Sequence, residues 1–266
     1  MVKLIVSDLD GTLLDDKKTL PVDLSTLLDE LARKGILFST GSGRNYATQK
    51  RLFKGFCDKL SFICDNGAYI VENGVNTFVS VIPEEEWRRL VVLLETCIPE
   101  ALIILCGVNG AYCRDYRGMG ETEHIMTVFY SGLEFVESLK VIEDHIFKIS
   151  VCLPYTAKER LLPLLSENSS GRVAFLNTDP SFIDIINTGV SKGGAVRYLQ
   201  QKYGISRNET MVFGDYYNDL DMLEQAELSY VMANAPADVQ AHGNFLAPDN
   251  NERGVVSVIR YYLKHK

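Results

Sequence analysis

The chain has 266 residues, 46% of them hydrophobic and 23% charged, a globular balance that excludes a disordered, collagen-like or small disulfide-scaffold protein. Against 35 acidic residues stand 27 basic ones, a formal charge of −8, which offers no basic face to a nucleic acid. No apolar run approaches the roughly 18 residues of a membrane helix, and Asp8 and Asp10 interrupt the apolar N-terminus too early for a secretory signal, so a cytoplasmic protein without a membrane partner is expected.

Lys3-Leu4-Ile5-Val6 is a short apolar run that stops at Asp8, the pattern of a buried strand ending in a polar loop. Leu24, Leu27, Leu28 and Leu31 follow at i, i+3, i+4 and i+7, the spacing of a helix, with Gly35 as its stop. Residues 36–40 and 60–64 read as strands with a helix-like stretch between them. This alternation belongs to a parallel sheet with helices on both faces. Residues 68–79 then read as a hairpin turning at Glu72-Asn73-Gly74. From about 83 to 187 the alternation changes. Helices are expected over 84–97 and 157–165, strands over 101–106 and 146–153, and a closing strand pair over 172–176 and 182–186. The parallel pattern returns with a helix over 192–203 stopped by Gly204, a strand over 210–213, a helix over 219–226, a strand over 228–231 and a last helix over 253–263. The expected fold class is therefore α/β, a doubly wound parallel sheet interrupted by an inserted α+β domain. Six cysteines and four histidines show neither C-x-x-C nor H-E-x-x-H spacing, so reduced, mostly core-packed thiols are expected.

Three strand ends carry polar residues, and ligands of open α/β sheets bind outside the carboxyl ends of the strands. The first end is Asp8-Leu9-Asp10-Gly11-Thr12, where residues i and i+2 of an extended segment face one side. A lone D-x-D is more often a turn or a helix cap, and a calcium loop is excluded because position 12 is Thr. The second end, Ser42-Gly43-Arg44, offers a hydroxyl and backbone N–H groups at a helix start. Tyr46 stands where a dinucleotide fingerprint needs its third glycine. The third end is Gly214-Asp215-Tyr216-Tyr217-Asn218-Asp219, with two more carboxylates and an amide. Lys192 opens a helix, where its charge is unfavourable with the dipole; it is either a solvated lysine or the partner of an anion. No Walker motif surrounds it. Carboxylates bind Mg²⁺ through oxygen, a lysine and a hydroxyl bind a phosphoryl group, and a carboxylate can attack phosphorus. Metal-assisted phosphoryl transfer is the reaction these groups can perform together.

With these residues the chain resembles the haloacid dehalogenase superfamily, and within it the Cof-type sugar-phosphate phosphatases with a type IIB cap. Asp8-Leu9-Asp10-Gly11-Thr12-Leu13 matches the family's D-x-D-G-T-L. The run from Gly35 to Arg44 matches its second motif, Gly189-Val190-Ser191-Lys192-Gly193 its lysine motif, and Gly214 to Asp219 its G-D-x-x-N-D. Asn66-Gly67-Ala68 and Met232-Ala233-Asn234-Ala235 are also similar to the family. The resemblance implies Asp8 as nucleophile and Mg²⁺ ligand. It implies Asp10 as general acid/base, giving its backbone carbonyl to the metal, with Asp215 as the third ligand and Asp219 as its close support. Ser42, Lys192, Asn218 and the backbone of Leu9 and Gly43 would form the phosphate cradle.

By the same resemblance, residues 1–81 and 187–266 form the core and 82–186 the cap. The implied function is Mg²⁺-dependent hydrolysis of a small phosphorylated metabolite, such as a sugar phosphate, through an aspartyl-phosphate. A phosphomutase or phosphotransferase using the same aspartate, and a non-catalytic phosphometabolite-binding protein, are the alternatives. Tyr216 and Tyr217 depart from the family, which often has a smaller residue at the first of these positions; they are either ordinary packing or a narrowing of the site. Lys192 is the only cation the sequence places near the four aspartates.

Overall fold

The structure, a computed structural model, describes residues 1–129 and 132–265. Strand β1 (Leu4–Ser7) is buried throughout, as a strand covered on both faces must be. Helix α1 (Leu24–Arg33) buries Leu24, Leu27, Leu28 and Leu31, the stripe read from the sequence. Strand β2 (Leu37–Gly41), helix α2 (Tyr46–Leu52) and strand β3 (Ser61–Cys64) continue the alternation. Strands β4 (Tyr69–Glu72) and β5 (Val75–Val79) are joined by Asn73 and Gly74, at φ 52° and 75°, the two left-handed positions of a tight hairpin turn.

The chain then runs through α3 (Glu84–Cys97), β6 (Leu102–Gly107), β7 (Ala111–Cys113), α4 (Glu121–Phe129), β8 (Glu134–Phe135), β9 (Ile146–Cys152), α5 (Ala157–Glu167), β10 (Val173–Asp179) and β11 (Phe182–Asn187). Helix α6 (Lys192–Tyr203) starts on Ser191, whose hydroxyl accepts from the Gly194 N–H at 3.0 Å, and stops at Gly204 with φ 63°. Strand β12 (Thr210–Gly214), helix α7 (Leu220–Leu223), strand β13 (Leu228–Met232), helix α8 (Ala237–Gln240), strand β14 (Phe245–Ala247) and helix α9 (Gly254–His265) complete the described chain.

Two compact units result, Met1–Phe78 with Val190–Lys266, and Val79–Gly189. The first is built on an eight-stranded sheet in the order β14-β13-β12-β1-β2-β3-β4-β5. Strand β1 lies between β2 and β12 and runs parallel to both, with Ser7 opposite Thr40 and Phe213. Strands β3, β13 and β14 extend the parallel set, and β4 turns antiparallel to β3. Alternation along the strands splits the apolar residues between two faces. Ile5, Phe38, Phe62 and Phe213 pack with Leu27, Leu31 and Val256, while Leu4, Val6, Ile63 and Val212 pack with Val196, Leu199 and Met222. This is the doubly wound α/β core expected from the sequence.

The second unit has a six-stranded sheet in the order β10-β11-β9-β6-β7-β8. Its pairs are antiparallel except β7 with β8. Trp87, Leu90 and Leu94 of α3 and Leu161 and Leu165 of α5 pack on Ile103, Leu105, Ile149, Val151, Ile183 and Ile185, a separate core. Cys64, Cys106, Cys113 and Cys152 are buried, as the core-packing reading expects. Among the described residues no helix is long and apolar enough to cross a membrane.

The helix expected over 219–226 is shorter. A 3-10 turn at Tyr217–Asp219 precedes α7, because the Asp219 carboxylate takes the N–H groups of Asp215 and Tyr216 and winds the loop tightly. Helix α9 starts at Gly254, after Arg253 in the left-handed region at φ 58°.

Glu72 is buried at the end of β4 and accepts from Lys202, Thr77 and Tyr203. Burial alone would raise its carboxyl, but these hydrogen bonds outweigh burial and hold it below the usual glutamate range. A lowered carboxyl stabilises the fold above its unfolded value of 4.5 and loses that contribution as pH falls through the folded value. Glu72→Gln is expected to cost about 1–3 kcal/mol at pH 7 and clearly less at an acidic pH below the folded value. Urea melts at both pH values check this, and an equal loss at both would assign Glu72 a packing role only.

Candidate active site

The carboxyl ends of β1, β2 and β12 lie side by side, so the three polar segments read from the sequence meet at one edge of the first unit. The Asp8 N–H donates to the Phe213 carbonyl at 3.0 Å, carrying the β1–β12 ladder one residue past the strand. Beyond Asp8 the chain turns sharply, with the Leu14 N–H on the Leu9 carbonyl at 2.8 Å. Gly11 sits in this turn at φ 82°, and a Cβ there would lie 2.3 Å from Asp215 Oδ2, so only glycine lets the two loops approach. Next to it, Thr12 Oγ1 donates to Asp215 Oδ1 at 2.7 Å.

Lys192 is buried, with 1% of its side chain exposed, and its Nζ lies 2.6 Å from both Asp8 Oδ1 and Asp219 Oδ1. The solvated-lysine reading is thereby corrected: two carboxylates offset the unfavourable helix-start position. Asp219 Oδ2 accepts from the Asp215 and Tyr216 N–H groups at 3.0 and 3.1 Å. Asp8, Asp215 and Asp219 each bring one carboxylate oxygen within 4.8 Å of the others. Burial, reinforced by Asp219 and Asp215 and opposed by Lys192, pushes the Asp8 carboxyl up to about 8. Burial also pushes Asp215 up to about 6 against the Thr12 hydroxyl. Burial works against the Lys192 ammonium, yet the Asp219 and Asp8 carboxylates hold it above the ordinary lysine range. Three carboxylates thus face one ammonium, an all-oxygen donor set with excess negative charge that fits a hard divalent cation.

The Asp10 carboxylate belongs to a different cluster. Arg44 grips it through Nε at 2.7 Å and Nη2 at 2.6 Å, and Lys18 Nζ lies 2.9 Å from Oδ1. Burial opposes ionisation, but the Arg44 and Lys18 contacts outweigh it and hold Asp10 below the usual aspartate range. This corrects the expectation that Lys192 is the only cation near the four aspartates. The signal lay in the sequence: Arg44 follows Ser42 and Gly43 at the end of the second motif.

Ser42 is buried and its Oγ accepts from the Arg44 N–H at 3.1 Å. Asn218 Nδ2 donates to Asn66 Oδ1 at 3.1 Å, and the Asn66 N–H donates to the Ser42 carbonyl at 3.0 Å. A Cβ on Gly43 would lie 3.3 Å from the Asn66 amide. Ser42, Gly43 and Asn218 therefore converge on Asn66, itself left-handed at φ 54°. Leu9 buries its side chain in the core and carries its backbone between Asp8 and Asp10. Asn234, seen in the sequence only as part of a similar segment, ties two loops together. Its amide donates to the Gly11 carbonyl at 2.8 Å and its Oδ1 accepts from the Asn250 N–H at 3.2 Å.

The profile of the haloacid dehalogenase-like hydrolases matches residues 5–259. The 5-amino-6-(5-phospho-D-ribitylamino)uracil phosphatase YbjI of Escherichia coli is 33% identical over 267 residues, covering 100% of this chain and 97% of its own. Among solved structures, SMU.1108c from Streptococcus mutans is 29% identical with a TM-score of 0.85, covering 99% of this chain and 100% of that one. The subclass IIB sugar phosphatase BT4131 has a TM-score of 0.75 at 21% identity, covering 98% and 99%, a likeness of fold. The match spans nearly the whole chain and full-length relatives carry the name phosphatase, so this chain belongs to the haloacid dehalogenase-like hydrolase family, as one of its phosphatases.

Proposed function

We propose that this phosphatase is Mg²⁺-dependent and hydrolyses a small phosphorylated metabolite, a phosphate monoester of a sugar or sugar alcohol, through an aspartyl-phosphate. The observation that carries the reading is the set of buried Asp8 and Asp219 and half-buried Asp215 around Lys192. The E. coli relative, by its name, acts on a phosphorylated ribityl chain, which supports a hydroxylated leaving group. The same reading assigns substrate selection to the inserted unit as a cap, since every residue named for the chemistry lies outside it.

Asp8, Asp215 and the Asp10 backbone carbonyl would hold Mg²⁺, with Asp219 in support. The ion would supply positive charge against the phosphoryl oxygens. Lys192, the Ser42 hydroxyl, the Asn218 amide and the N–H groups of Leu9 and Gly43 bind the remaining phosphoryl charge. An Asp8 oxygen bonds to phosphorus as the ester P–O bond breaks, and Asp10 gives the departing oxygen its proton. Asp10 then takes a proton from water, whose oxygen attacks phosphorus and breaks the bond to Asp8. Inorganic phosphate leaves, Asp8 is restored and Asp10 is again protonated. Arg44 and Lys18 favour the ionised Asp10, so proton uptake there accompanies arrival of the anionic ester.

A panel of phosphorylated sugars and sugar alcohols, scored by phosphate release, tests the proposal. Release is expected with Mg²⁺ and at background in excess EDTA; full turnover in the chelator would refute metal dependence. Asp10→Asn is expected to slow esters with poor leaving groups by about 10²–10⁴-fold while Mg²⁺ affinity stays within a few-fold. Calorimetric Mg²⁺ titration beside kcat checks both, and near-wild-type kcat on an alkyl phosphate would remove Asp10 from proton transfer.

A further inference from the structure

Helix α2 has seven residues and buries one of them completely, and that one is Gln49. A short helix ordinarily buries an apolar side chain at such a position, since an amide taken out of water costs free energy unless its polar atoms find partners. In Gln49 the oxygen and both N–H groups are used. Its Oε1 accepts from the Thr40 hydroxyl at 2.6 Å. Its Nε2 donates to the Arg44 carbonyl at 3.0 Å and to the Ile63 carbonyl at 3.1 Å. Both carbonyls only accept, so they fix which end of the amide is nitrogen. The three partners bracket the Ser42–Gly43–Arg44 loop. Thr40 precedes it in β2 and Arg44 closes it. Ile63 lies in the neighbouring β3, and its carbonyl also takes the Ser42 N–H at 3.0 Å. The Arg44 carbonyl carries a second bond, from the Asp65 N–H at 3.1 Å. One buried side chain therefore ties both ends of the loop to each other and to the next strand. The chemistry proposed above draws on this loop for the Ser42 hydroxyl and the Gly43 N–H, and on Arg44 as the grip on Asp10. It gives Gln49 no part.

We propose that Gln49 is a positioning residue that holds the Ser42–Gly43–Arg44 loop in its phosphate-binding form. A free loop samples many backbone conformations, and ordering it on binding costs affinity. The buried amide orders the loop before any anion arrives, so that cost is removed from binding. The inference rests on the phosphatase reading for what the loop binds, and on the hydrogen bonds of Gln49 alone for what holds the loop.

Gln49→Met keeps a side chain of similar length and removes all three bonds. In the full chain with Mg²⁺, the variant is expected to bind inorganic phosphate about tenfold more weakly than wild type, read by calorimetric titration. With a phosphate ester, KM is expected to rise in step while kcat stays within a few-fold, the pattern of lost uniform binding. Amide hydrogens of residues 42–44 are expected to exchange faster with deuterium, while those of β1 keep their rate. Thr40→Val removes only the bond to Oε1 and is expected to weaken phosphate binding about threefold. Thr40→Ser keeps the hydroxyl and the wild-type affinity, and this pair decides the question if the methionine variant does not fold. A folded Gln49→Met chain with lower Tm and unchanged phosphate affinity overturns the proposal, as does a Thr40→Val chain that binds phosphate as wild type does. Gln49 would then serve packing only. A wild-type chain that neither binds phosphate nor releases it from any ester refutes the phosphatase reading. In that case faster exchange confined to 42–44 in Gln49→Met upholds the hold on the loop, and unchanged exchange overturns it.

Discussion

Asp8→Asn is expected to lower phosphate release by about 10⁴-fold or more, the loss seen when an attacking group is removed. An amide oxygen is a poor nucleophile and cannot regenerate a carboxylate after attack. The same change is expected to leave the metal-free protein as stable as wild type, or more so, at pH 8. The Asp8 carboxyl is held up to about 8 in the fold against 3.8 as its ordinary value. Ionising it therefore costs the folded state little at pH 4 and most above pH 8. Metal-free wild type loses stability across that window, and the asparagine variant loses less. In a chain of this size each kcal/mol shifts Tm by about 2–4 °C. On the proposed reading Mg²⁺ binds only the assembled site, so it is expected to raise Tm by mass action, with a smaller gain for the variant. Melting curves at pH 5 and pH 8, with and without Mg²⁺, check all of this. A variant that melts well below wild type at pH 8 and still turns over would make Asp8 a residue of the fold.

Lys192→Met is expected to have the opposite thermal signature. It removes the ammonium that touches both Asp8 and Asp219 and leaves buried carboxylates uncompensated, a loss of about 3–5 kcal/mol. Metal-free Tm at pH 7 should fall by about 6–20 °C. Acidification should restore part of the loss as the carboxyls take up protons. Mg²⁺ should restore part of it at pH 7, because a cation again faces the three aspartates. Turnover should drop by about 10²–10³-fold, the usual effect of losing one group that stabilises developing charge. The variant melted at pH 5 and pH 7, each with and without Mg²⁺, gives the answer. A loss equal under all four conditions would mean that Lys192 contributes packing rather than charge.

The main elements of the first unit were legible because strong local signals agree with the tertiary outcome. The leucines of α1 stand on one face, and Gly204 ends α6 in the left-handed conformation it alone adopts cheaply. The Asn73-Gly74 turn fixed the hairpin for the same reason. In the inserted unit the major helices and strands were readable. Strands β7 and β8 were not, since two or three residues carry no period. Helix α4 was missed, and β14 lies at a sheet edge where Phe245 and Leu246 are exposed. At the site, the sequence supplied Asp8, Asp215, Asp219 and Lys192 as candidates but not their pairing. Whether Lys192 meets water or two carboxylates depends on strands far apart in the chain. Arg44 was visible beside Ser42 and Gly43, but its pairing with Asp10, like the bridging role of Asn234, joins segments far apart in the chain.

Strand β1 takes its neighbours from β2 and from β12, at Thr210–Gly214. During synthesis, then, Asp8 emerges before the inserted unit, while Lys192, Asp215 and Asp219 follow only after the whole of it. A nascent chain stalled before residue 210 would hold β1 with one side of its ladder open, an unpaired edge of apolar Leu4, Ile5 and Val6. The inserted unit has its own core, and among the described residues its strand pairings lie within Val79–Gly189, so its contacts can form while the first unit waits. Domains tend to fold as they leave the ribosome, and pairings that span the chain come late. Birth therefore runs well ahead of assembly: Asp8 is made before the inserted unit, and the carboxylate cluster it joins can close only after that unit has left the ribosome.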